Sequence, residues 1–408
     1  SLILGGQLNV DRNKKIWKDY KRRQKMNLLF DLTATQPSQE VKFHGGGLYG
    51  EVIFFALLKR TENFIGIYDG KLYINSEILN SGIKLYDINQ ISPKELIKQE
   101  NIDLFYTPLY NNKYEWQLSV KRYAITWHGV RGLEMPYNDI VLYYAKNFKA
   151  KAKEMIKSFV KKYSEKRSKK AKKIYYDMQA NLENAEYITD SEHSKQSIVN
   201  FYPHLAKKEI SVFYPPLMDD HIELPQSQFE SKSYFLLTSS ARWEKNNLRA
   251  VWAFDELFSQ RKDLNFKVIL AGVTDEKVYT RNLKNKDNFI FLGYVDRAEL
   301  LSLHKNAYAF IYPSLNEGFG YPPIESMRYG VPVATSGTSS IPEICQNAAI
   351  YFDPYNVSEI KNRILQLLDK DIYAEYSARA VERYKIVSER QKQDLEKIVD
   401  FILGDKSC

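Results

Sequence analysis

The stretch YPSLNEGFGYPPIESMRYGVPVATSGTSSIPE, residues 312–343, decides the fold of this 408-residue chain. The apolar run that leads into it predicts a buried strand, and VPVAT predicts the next strand. Between them, Gly318 and Gly320 predict a loop whose backbone can approach a ligand closely. Residues 324–329 then predict a helix that ends at Gly330. A helix N-terminus behind a glycine-rich loop favours a bound anion at this point.

Two carboxylates, Glu317 and Glu325, flank this anion site and stand eight residues apart. A carboxylate repels a phosphate, but it accepts hydrogen bonds from paired hydroxyl groups such as those of riboses and sugars. An anion site between two such carboxylates therefore suits a nucleotide sugar. Taken without its surroundings, the pair is equally typical of two solvated surface side chains.

The whole stretch resembles the E-G-F-G-x-P-x-x-E core of the retaining glycosyltransferases with the GT-B fold, family 4 (glycosyl transferases group 1). The resemblance extends through GVPV and SSIPE, and more loosely from Met26 to the C-terminus. Tyr321 and Arg328 stand where this family usually has smaller or aliphatic residues, so the donor stays open. The resemblance implies transfer of a sugar from a nucleotide-sugar donor to a hydroxyl group, with retention at the anomeric carbon.

The rest of the chain fits an α/β fold with two domains. A length of 408 residues favours two domains over one. Strands and helices alternate, which indicates parallel sheets, and KLYIN (71–75) is among the predicted strands. The resemblance implies GT-B architecture, with two Rossmann-like domains facing across a cleft. We expect an acceptor-side domain at 1–218, a nucleotide-sugar-binding domain at 232–385, and a last helix, 386–408, that packs back on the first domain.

The composition favours a cytoplasmic protein. Hydrophobic residues make up 44% of the chain, which is enough to form cores. Cys345 and Cys408 form no disulfide framework or metal site, as is typical of a reducing compartment. The longest apolar run, VIFFALL at 52–58, is too short to span a bilayer. We expect a cytoplasmic location. The charge distribution also fits a position at the inner face of the membrane.

Residues 146–173 form a basic segment with thirteen Lys or Arg and two Glu. Its net charge of +11 exceeds the +9 of the whole chain, so the positive charge is local. Its apolar residues recur at helical spacing, which fits a helix on an anionic membrane surface or a helix packed on its own domain. Nucleic-acid binding is less favoured, because no DNA- or RNA-binding motif accompanies the charge. A second basic cluster, within residues 1–25, fits a solvated terminus.

The resemblance adds site residues outside the central stretch. Family 4 enzymes carry a glycine-rich loop after the first strand, here a run of three glycines, and we assign its Gly46 and Gly47 to donor binding. YAITWHG ends a strand at His128, where the family has a histidine that faces the donor sugar. The loop after SYFLLTSS holds Arg242 and Lys245, which match the family's diphosphate-binding cations.

The carried-over roles divide the donor between several side chains. Glu325 reads the ribose diol, and Glu317 holds donor-sugar hydroxyls near C3 and C4. Tyr294, which follows the strand FIFL, lines the base pocket. His128 binds a sugar hydroxyl or helps to hold the leaving phosphate.

The leaving diphosphate is expected to be held without a metal. Backbone N–H groups at Gly318, Phe319 and Gly320 act with Lys245 and Arg242 to offset its charge as it departs. The one D-x-D sequence, Asp369-Lys370-Asp371, stands where the C-terminal helical run begins and outside the central stretch, so we assign it no catalytic metal. We therefore expect no metal and no cofactor besides the nucleotide-sugar substrate.

The acceptor is a glycan, a lipid-linked glycan or a protein, and no nucleic-acid partner is expected. Synthesis of a surface polysaccharide or glycoconjugate is the setting that fits such an enzyme. Two alternatives stay open, since a fold alone does not decide activity. One is a non-catalytic subunit that binds a glycan or nucleotide, and the other is a GT-B nucleotide-sugar epimerase, against which the EGFG core argues.

Overall fold

The computed structural model describes residues 27–33, 35–37, 45–145, 148–159, 161–218 and 222–405. The basic cluster within residues 1–25 lies outside these ranges, as do Lys146 and Cys408. The described residues form an N-terminal half and a C-terminal half, each built on one parallel sheet.

The N-terminal half has seven strands in its described residues. They are β1 (Leu28–Asp31), β2 (Phe64–Tyr68), β3 (Leu85–Asp87), β4 (Leu104–Thr107), β5 (Arg122–Thr126), β6 (Ala185–Thr189) and β7 (Ile210–Val212). The helices are α1 (Gly45–Leu58), α2 (Ser76–Leu79), α3 (Pro93–Gln99), α4 (Arg131–Glu134), α5 (Phe148–Phe159), α6 (Lys161–Ala180) and α7 (Glu192–Phe201). The strand order is β3-β2-β1-β4-β5-β6-β7.

The C-terminal half repeats this design with six strands in its described residues. They are β8 (Tyr234–Leu237), β9 (Lys267–Leu270), β10 (Phe289–Phe291), β11 (Ala309–Tyr312), β12 (Val333–Ser336) and β13 (Ala349–Phe352). The helices are α8 (Asn247–Gln260), α9 (Lys277–Thr280), α10 (Arg297–Asn306), α11 (Tyr321–Met327), α12 (Ile341–Cys345), α13 (Val357–Leu367) and α14 (Lys370–Leu403). The strand order is β10-β9-β8-β11-β12-β13.

Both sheets are arranged so that a candidate site forms beyond the carboxyl ends of their strands. Strands such as β1, β4, β8 and β11 are buried along their whole length, because helices cover both faces of a parallel sheet. In each sheet the strand order reverses between two adjacent strands, β1 and β4 or β8 and β11. Ligands bind beyond the carboxyl ends of strands at such a reversal, so the loops after these strands are the candidate site.

Helix α14 is shared by the two halves. It begins after Asp369, whose side chain accepts hydrogen bonds from two first-turn N–H groups, and it ends at Gly404 with a left-handed backbone. Ala380 and Val387 pack into the core of the C-terminal half, and Ile398 and Ile402 pack into that of the N-terminal half. The helix therefore links the two cores.

Three details differ from the sequence prediction. The helix predicted at 324–329 spans Tyr321–Met327, because the two prolines occupy its first turn and do not precede it. Residues 71–75, predicted as a strand, form a turn and an extended segment that leads into α2, whose N-cap is Asn75. The edge strand is β3 instead, a three-residue segment whose half-buried side chains give little periodic signal. The glycine run predicted as a loop is the first turn of α1, so its backbone is helical.

Candidate active site

The loop between β11 and α11 touches the N-terminal half at Gly318. The carbonyl oxygen of Gly318 accepts hydrogen bonds from Ser191 Oγ at 2.7 Å and from Ser194 Oγ at 3.2 Å. A Cβ atom at Gly318 would lie 2.9 Å from the backbone oxygen of His128, so a larger residue would push the halves apart. The loop and His128 therefore face each other across the cleft.

The same loop leaves a row of N–H groups for a ligand. Ser340 Oγ donates to the carbonyl oxygens of Glu317 and Phe319, at 3.0 and 2.9 Å. Among the described residues, none accepts a hydrogen bond from the N–H groups of Gly318, Phe319 or Gly320. The side chain of Phe319 is buried in the core, so this residue offers a ligand its backbone only. Consecutive N–H groups of this kind bind anions.

Glu317 is buried and accepts three hydrogen bonds on one oxygen. Lys245 Nζ donates to Oε1 at 2.6 Å, Tyr312 OH donates at 2.7 Å, and Ser314 Oγ donates to the same atom. Burial is the largest influence on the pKa of this carboxyl and raises it, but the charges of Lys245 and Arg131 and the hydrogen bonds from Lys245 and Ser314 together outweigh it, and the net pKa is lowered. Glu317 is thus ionised at neutral pH, and within the described chain its Oε2 receives no hydrogen bond.

Lys245 is held in place by the turn that precedes α8. It ends a 3-10 turn, and Asn246 follows with a left-handed backbone whose side chain donates to the carbonyl oxygens of Pro313 and Pro354. These bonds tie the Lys245 turn to the loop after β11. Burial lowers the pKa of Lys245, and the Glu317 carboxylate opposes this shift.

Glu325 lies on α11 with a different set of neighbours. Arg297 Nη2, at the start of α10, donates to its Oε1 at 2.5 Å, and His304 Nε2 lies 3.7 Å from its Oε2. Burial is the largest influence on the pKa of Glu325 and raises it. Arg297 is the main opposing group, and with the smaller contributions of His304 and Arg328 it makes the net shift downward. Burial also lowers the pKa of His304 to about 4, so this imidazole is neutral at pH 7.

His128 follows β5 and is fixed from both sides of its ring. Its Nδ1 lies 2.7 Å from Asp190 Oδ2, and its Nε2 lies 2.8 Å from the carbonyl oxygen of Pro108. Burial lowers its pKa, but the Asp190 carboxylate raises it by more, and the net pKa is raised. Since Asp190 and a carbonyl group both accept, the ring carries both protons readily.

Arg242 precedes the Lys245 turn and lies at its exposed side. Its guanidinium contacts Glu244 Oε1, with Nη2 at 3.2 Å. Arg131 of α4 reaches the same oxygen from the N-terminal half, with its Nη1 at 3.6 Å. One carboxylate oxygen therefore lies between two arginines from opposite sides of the cleft.

The remaining predicted residues lie at the rim. Gly46 and Gly47 are in the first turn of α1, and Tyr49 of the same turn packs edge-on against His128, with ring centroids 5.0 Å apart. Tyr294 lies between β10 and α10, three residues before Arg297, and its side chain is 61% exposed. The structure thus groups Glu317, His128 and Lys245, and places the rest around them.

Four residues of this region escaped the sequence prediction: Asp190, Arg131, Arg297 and Glu343. Glu343, within the SSIPE motif, accepts hydrogen bonds from the N–H groups of Glu192 and His193 at 3.0 Å each. A carboxylate at the N-terminus of α7 is stabilising, and it ties the two halves together. For Arg131 the position three residues after His128 was an available signal, whereas Asp190 and Arg297 find their partners only through the fold.

Comparison with known proteins by sequence concerns mainly the C-terminal half. The family model described as Glycosyl transferases group 1 matches residues 220–386. The chain is 33% identical over 172 residues to the O-antigen chain mannosyltransferase RfbU of Salmonella typhimurium, covering 41% of this chain and 46% of that protein. It is 33% identical over 136 residues to the O-antigen chain mannosyltransferase B of Escherichia coli, covering 32% of this chain and 36% of that protein. The chain thus spans less than half the length of these relatives.

The fold comparison extends over both halves. The crystal structure of WaaG, a glycosyltransferase involved in lipopolysaccharide biosynthesis, superposes with a TM-score of 0.62 at 12% identity. The match covers 92% of this chain and 99% of WaaG. Residues 220–386 therefore resemble glycosyl transferases group 1, and the chain as a whole has the GT-B fold.

Proposed function

We propose that this protein is a retaining glycosyltransferase that moves a sugar from a nucleotide-sugar donor to a hydroxyl group of a glycan, lipid-linked or protein acceptor. The supporting observation is the ionised Glu317 beside three N–H groups that no described residue accepts from. The N–H groups suit a diphosphate, and the carboxylate suits the hydroxyls of the attached sugar. Because two matched relatives are O-antigen mannosyltransferases, surface polysaccharide synthesis is the proposed setting and mannose the first sugar to test.

The reaction breaks the bond between the anomeric carbon and the diphosphate, forms a bond from that carbon to the acceptor oxygen, and passes the proton of the acceptor hydroxyl to the departing diphosphate. Lys245, Arg242 and the loop N–H groups bear on the negative charge that develops on the leaving diphosphate. Glu317 Oε2 is the oxygen left for sugar hydroxyls, and Glu325 takes the ribose hydroxyls. We infer that these groups suffice without a metal ion, so transfer should persist in EDTA.

His128 has a place in this scheme through its raised pKa. The backbone of His128 lies on the opposite wall of the cleft from Gly318, where the sugar and the leaving phosphate would meet. Both ring nitrogens already contact acceptors, Asp190 and the carbonyl group of Pro108, so His128 supplies a positive charge to either group rather than a hydrogen bond.

The test is a screen of UDP-, GDP- and dTDP-sugars by thermal shift, since a ligand of the folded state raises its unfolding temperature. The sugar nucleotide that binds is then incubated with and without glycan or lipid-linked acceptors, and products are analysed by mass spectrometry. We expect transfer that depends on the acceptor, with retained anomeric configuration. Binding without turnover would favour the non-catalytic subunit, and donor conversion without an acceptor would favour the epimerase.

We further propose that the surface of α5 and α6 meets an anionic membrane. Ile156 and Ile174 are 64% and 63% exposed there, among lysines that face solvent. Apolar and basic side chains on one surface suit a layer of anionic headgroups above acyl chains. Within the described residues, no helix combines the length and the apolar character needed to cross a bilayer.

Vesicle binding tests this second proposal. Lys166 and Lys170 are exposed on α6, and replacing both with Gln should weaken binding to anionic vesicles about 30-fold at low salt. Lys94 and Lys98, an exposed pair with the same spacing on α3, provide the matched control and should tolerate the same change. Wild-type protein that ignores anionic vesicles at low salt would contradict the proposal, and donor binding should be unaffected in either variant.

A further inference from the structure

Arg131 belongs to the N-terminal half but lies beside the cations of the C-terminal half. Its Nη1 is 3.6 Å from Glu244 Oε1, and Glu244 stands directly before Lys245 in the chain. The charge of Arg131 also bears on Glu317: after burial and Lys245, it is the next contribution to the pKa of that carboxyl, which it lowers. Arg131 therefore faces the same space as the Lys245–Glu317 pair.

The position of Arg131 is fixed by the short helix that carries it. Val130 and Leu133 are buried in the core of the N-terminal half, so α4 is held to the sheet. Glu134, at the other end of α4, accepts a hydrogen bond from Asn316 Nδ2 at 2.7 Å. Helix α4 thus contacts the loop after β11 through Glu134 and the loop after β8 through Arg131.

The contacts of Glu244 are loose, in contrast to those of Glu317. Glu244 Oε1 lies 3.2 Å from Arg242 Nη2 and 3.6 Å from Arg131 Nη1, whereas Lys245 Nζ lies 2.6 Å from Glu317. The side chains of both arginines are partly exposed, at 47% and 33%. Exposed ion pairs at such distances contribute little and exchange partners easily. A stronger anion can therefore displace this carboxylate.

Arginine suits the incoming group. A guanidinium presents parallel N–H donors that match two oxygens of a phosphate, and such bidentate contacts are stronger than contacts between neutral groups. A diphosphate seated on the N–H groups of Gly318 to Gly320 would lie between the two halves. Two guanidiniums from opposite walls would then enclose the diphosphate. The Glu244 carboxylate shares a single oxygen between the same two guanidiniums, so it holds them only loosely.

We propose that Arg131 binds the diphosphate of the donor from across the cleft, and that Glu244 holds Arg131 and Arg242 in place until the diphosphate replaces it. The inference rests on the proposed function, because it names a ligand of the same site. Its consequence is that full stabilisation of the leaving group requires both halves of the protein to be together.

Inorganic pyrophosphate is the probe, because it carries the diphosphate without a base or a sugar. Its affinity for the 408-residue chain is measured by calorimetry. Arg131→Gln should weaken binding about tenfold or more, the value of a charge-assisted hydrogen bond. Arg131→Lys keeps the charge but loses the bidentate fork, so its affinity for pyrophosphate should lie between those of the wild type and Arg131→Gln. Arg261→Gln, on an exposed arginine paired with Asp263, is the matched control and should bind like the wild type.

Glu244→Gln separates displacement from simple positioning. If the carboxylate competes with the diphosphate, this variant should bind pyrophosphate more tightly than the wild type. Weaker binding would show that Glu244 only positions the arginines and would overturn that part of the proposal. Unfolding temperatures identify any variant that fails to fold, in which case Arg131→Lys decides.

The outcomes also separate this inference from the proposed function. Wild-type affinity for pyrophosphate in Arg131→Gln would overturn the role of Arg131 and leave the glycosyltransferase proposal intact. A wild-type protein that binds neither pyrophosphate nor any nucleoside diphosphate would overturn both.

Discussion

Glu317 is buried and Glu325 is partly buried, and although both belong to the segment around one loop, their surroundings differ. A single oxygen of Glu317 accepts hydrogen bonds from Lys245, Tyr312 and Ser314, all of which are buried in the C-terminal half. Glu325 has Arg297, whose side chain is 23% exposed at the start of α10.

The difference shows how a shared residue type is given two tasks. A carboxylate fixed by a buried lysine and two hydroxyls cannot move, so it suits a group that must be oriented during the chemical step. A carboxylate whose partner reaches solvent can exchange that partner for a ligand, so it suits binding. We therefore expect changes around Glu317 to act on turnover and changes around Glu325 to act on donor affinity.

The largest effect is expected at the Glu317 pair. Lys245→Ala removes a cation from the leaving diphosphate and should lower kcat by about 10²-fold or more. Glu317→Gln should also lower kcat, since it removes the charge that orients sugar hydroxyls. Steady-state kinetics with the identified donor would measure both.

Folding and metal controls accompany these variants. Loss of a buried charge partner also destabilises the protein, so a folding control is needed. Circular dichroism should show that each variant is folded. Wild-type activity in EDTA should be unchanged. Turnover within a few-fold of wild type in both variants would remove Glu317 and Lys245 from the chemical step.

A smaller effect is expected for Glu325→Gln. The ribose is bound alike before and during transfer. Loss of the contact between the ribose and the Glu325 carboxylate should therefore raise the donor KM about tenfold with little change in kcat. Calorimetry with the nucleoside diphosphate should show the same loss. An unchanged KM with a reduced kcat would reverse the assigned roles of the two carboxylates.

The smallest effect concerns pH. Arg297 lowers the pKa of Glu325 and burial raises it, so Arg297→Gln should leave a carboxyl whose pKa lies above its usual value. Protonation would then reach Glu325 at a higher pH, and the donor KM of the variant should rise several-fold as pH falls toward 5. The wild-type KM should stay flat over this range, and parallel profiles would contradict the assigned partner.

The central stretch could be predicted because its signals are local. β11, the glycine loop, α11 and β12 follow one another within a few turns of chain, and each has its own propensity or capping residue. Pro322 and Pro323 lie in the first turn of α11, where proline lacks no needed hydrogen bond. The parallel sheets followed from the alternation of strands and helices in the same way.

The partners of the site residues could not be predicted so directly. Lys245 and Glu317 are 72 residues apart, and His128 and Asp190 are 62 apart. Their pairing depends on how two sheets place their loops, which no local propensity encodes. Arg131 lies on a four-residue helix without periodicity, so its nearness to His128 in the chain is a weak local signal, and its contact with Glu244 is visible only in the fold.

Helix α14 has a consequence for building hybrid enzymes from relatives of this protein. The family match ends at residue 386, inside a helix that continues to Leu403. Beyond that point, Ile398 and Ile402 fill the N-terminal core, and Arg122 donates to the last carbonyl groups of the helix, those of Phe401 and Ile402. An exchange of C-terminal halves cut at the family boundary would leave the N-terminal core filled by side chains of a different protein. The final turns of α14 should therefore be kept with the N-terminal half, although they follow the C-terminal half in the chain.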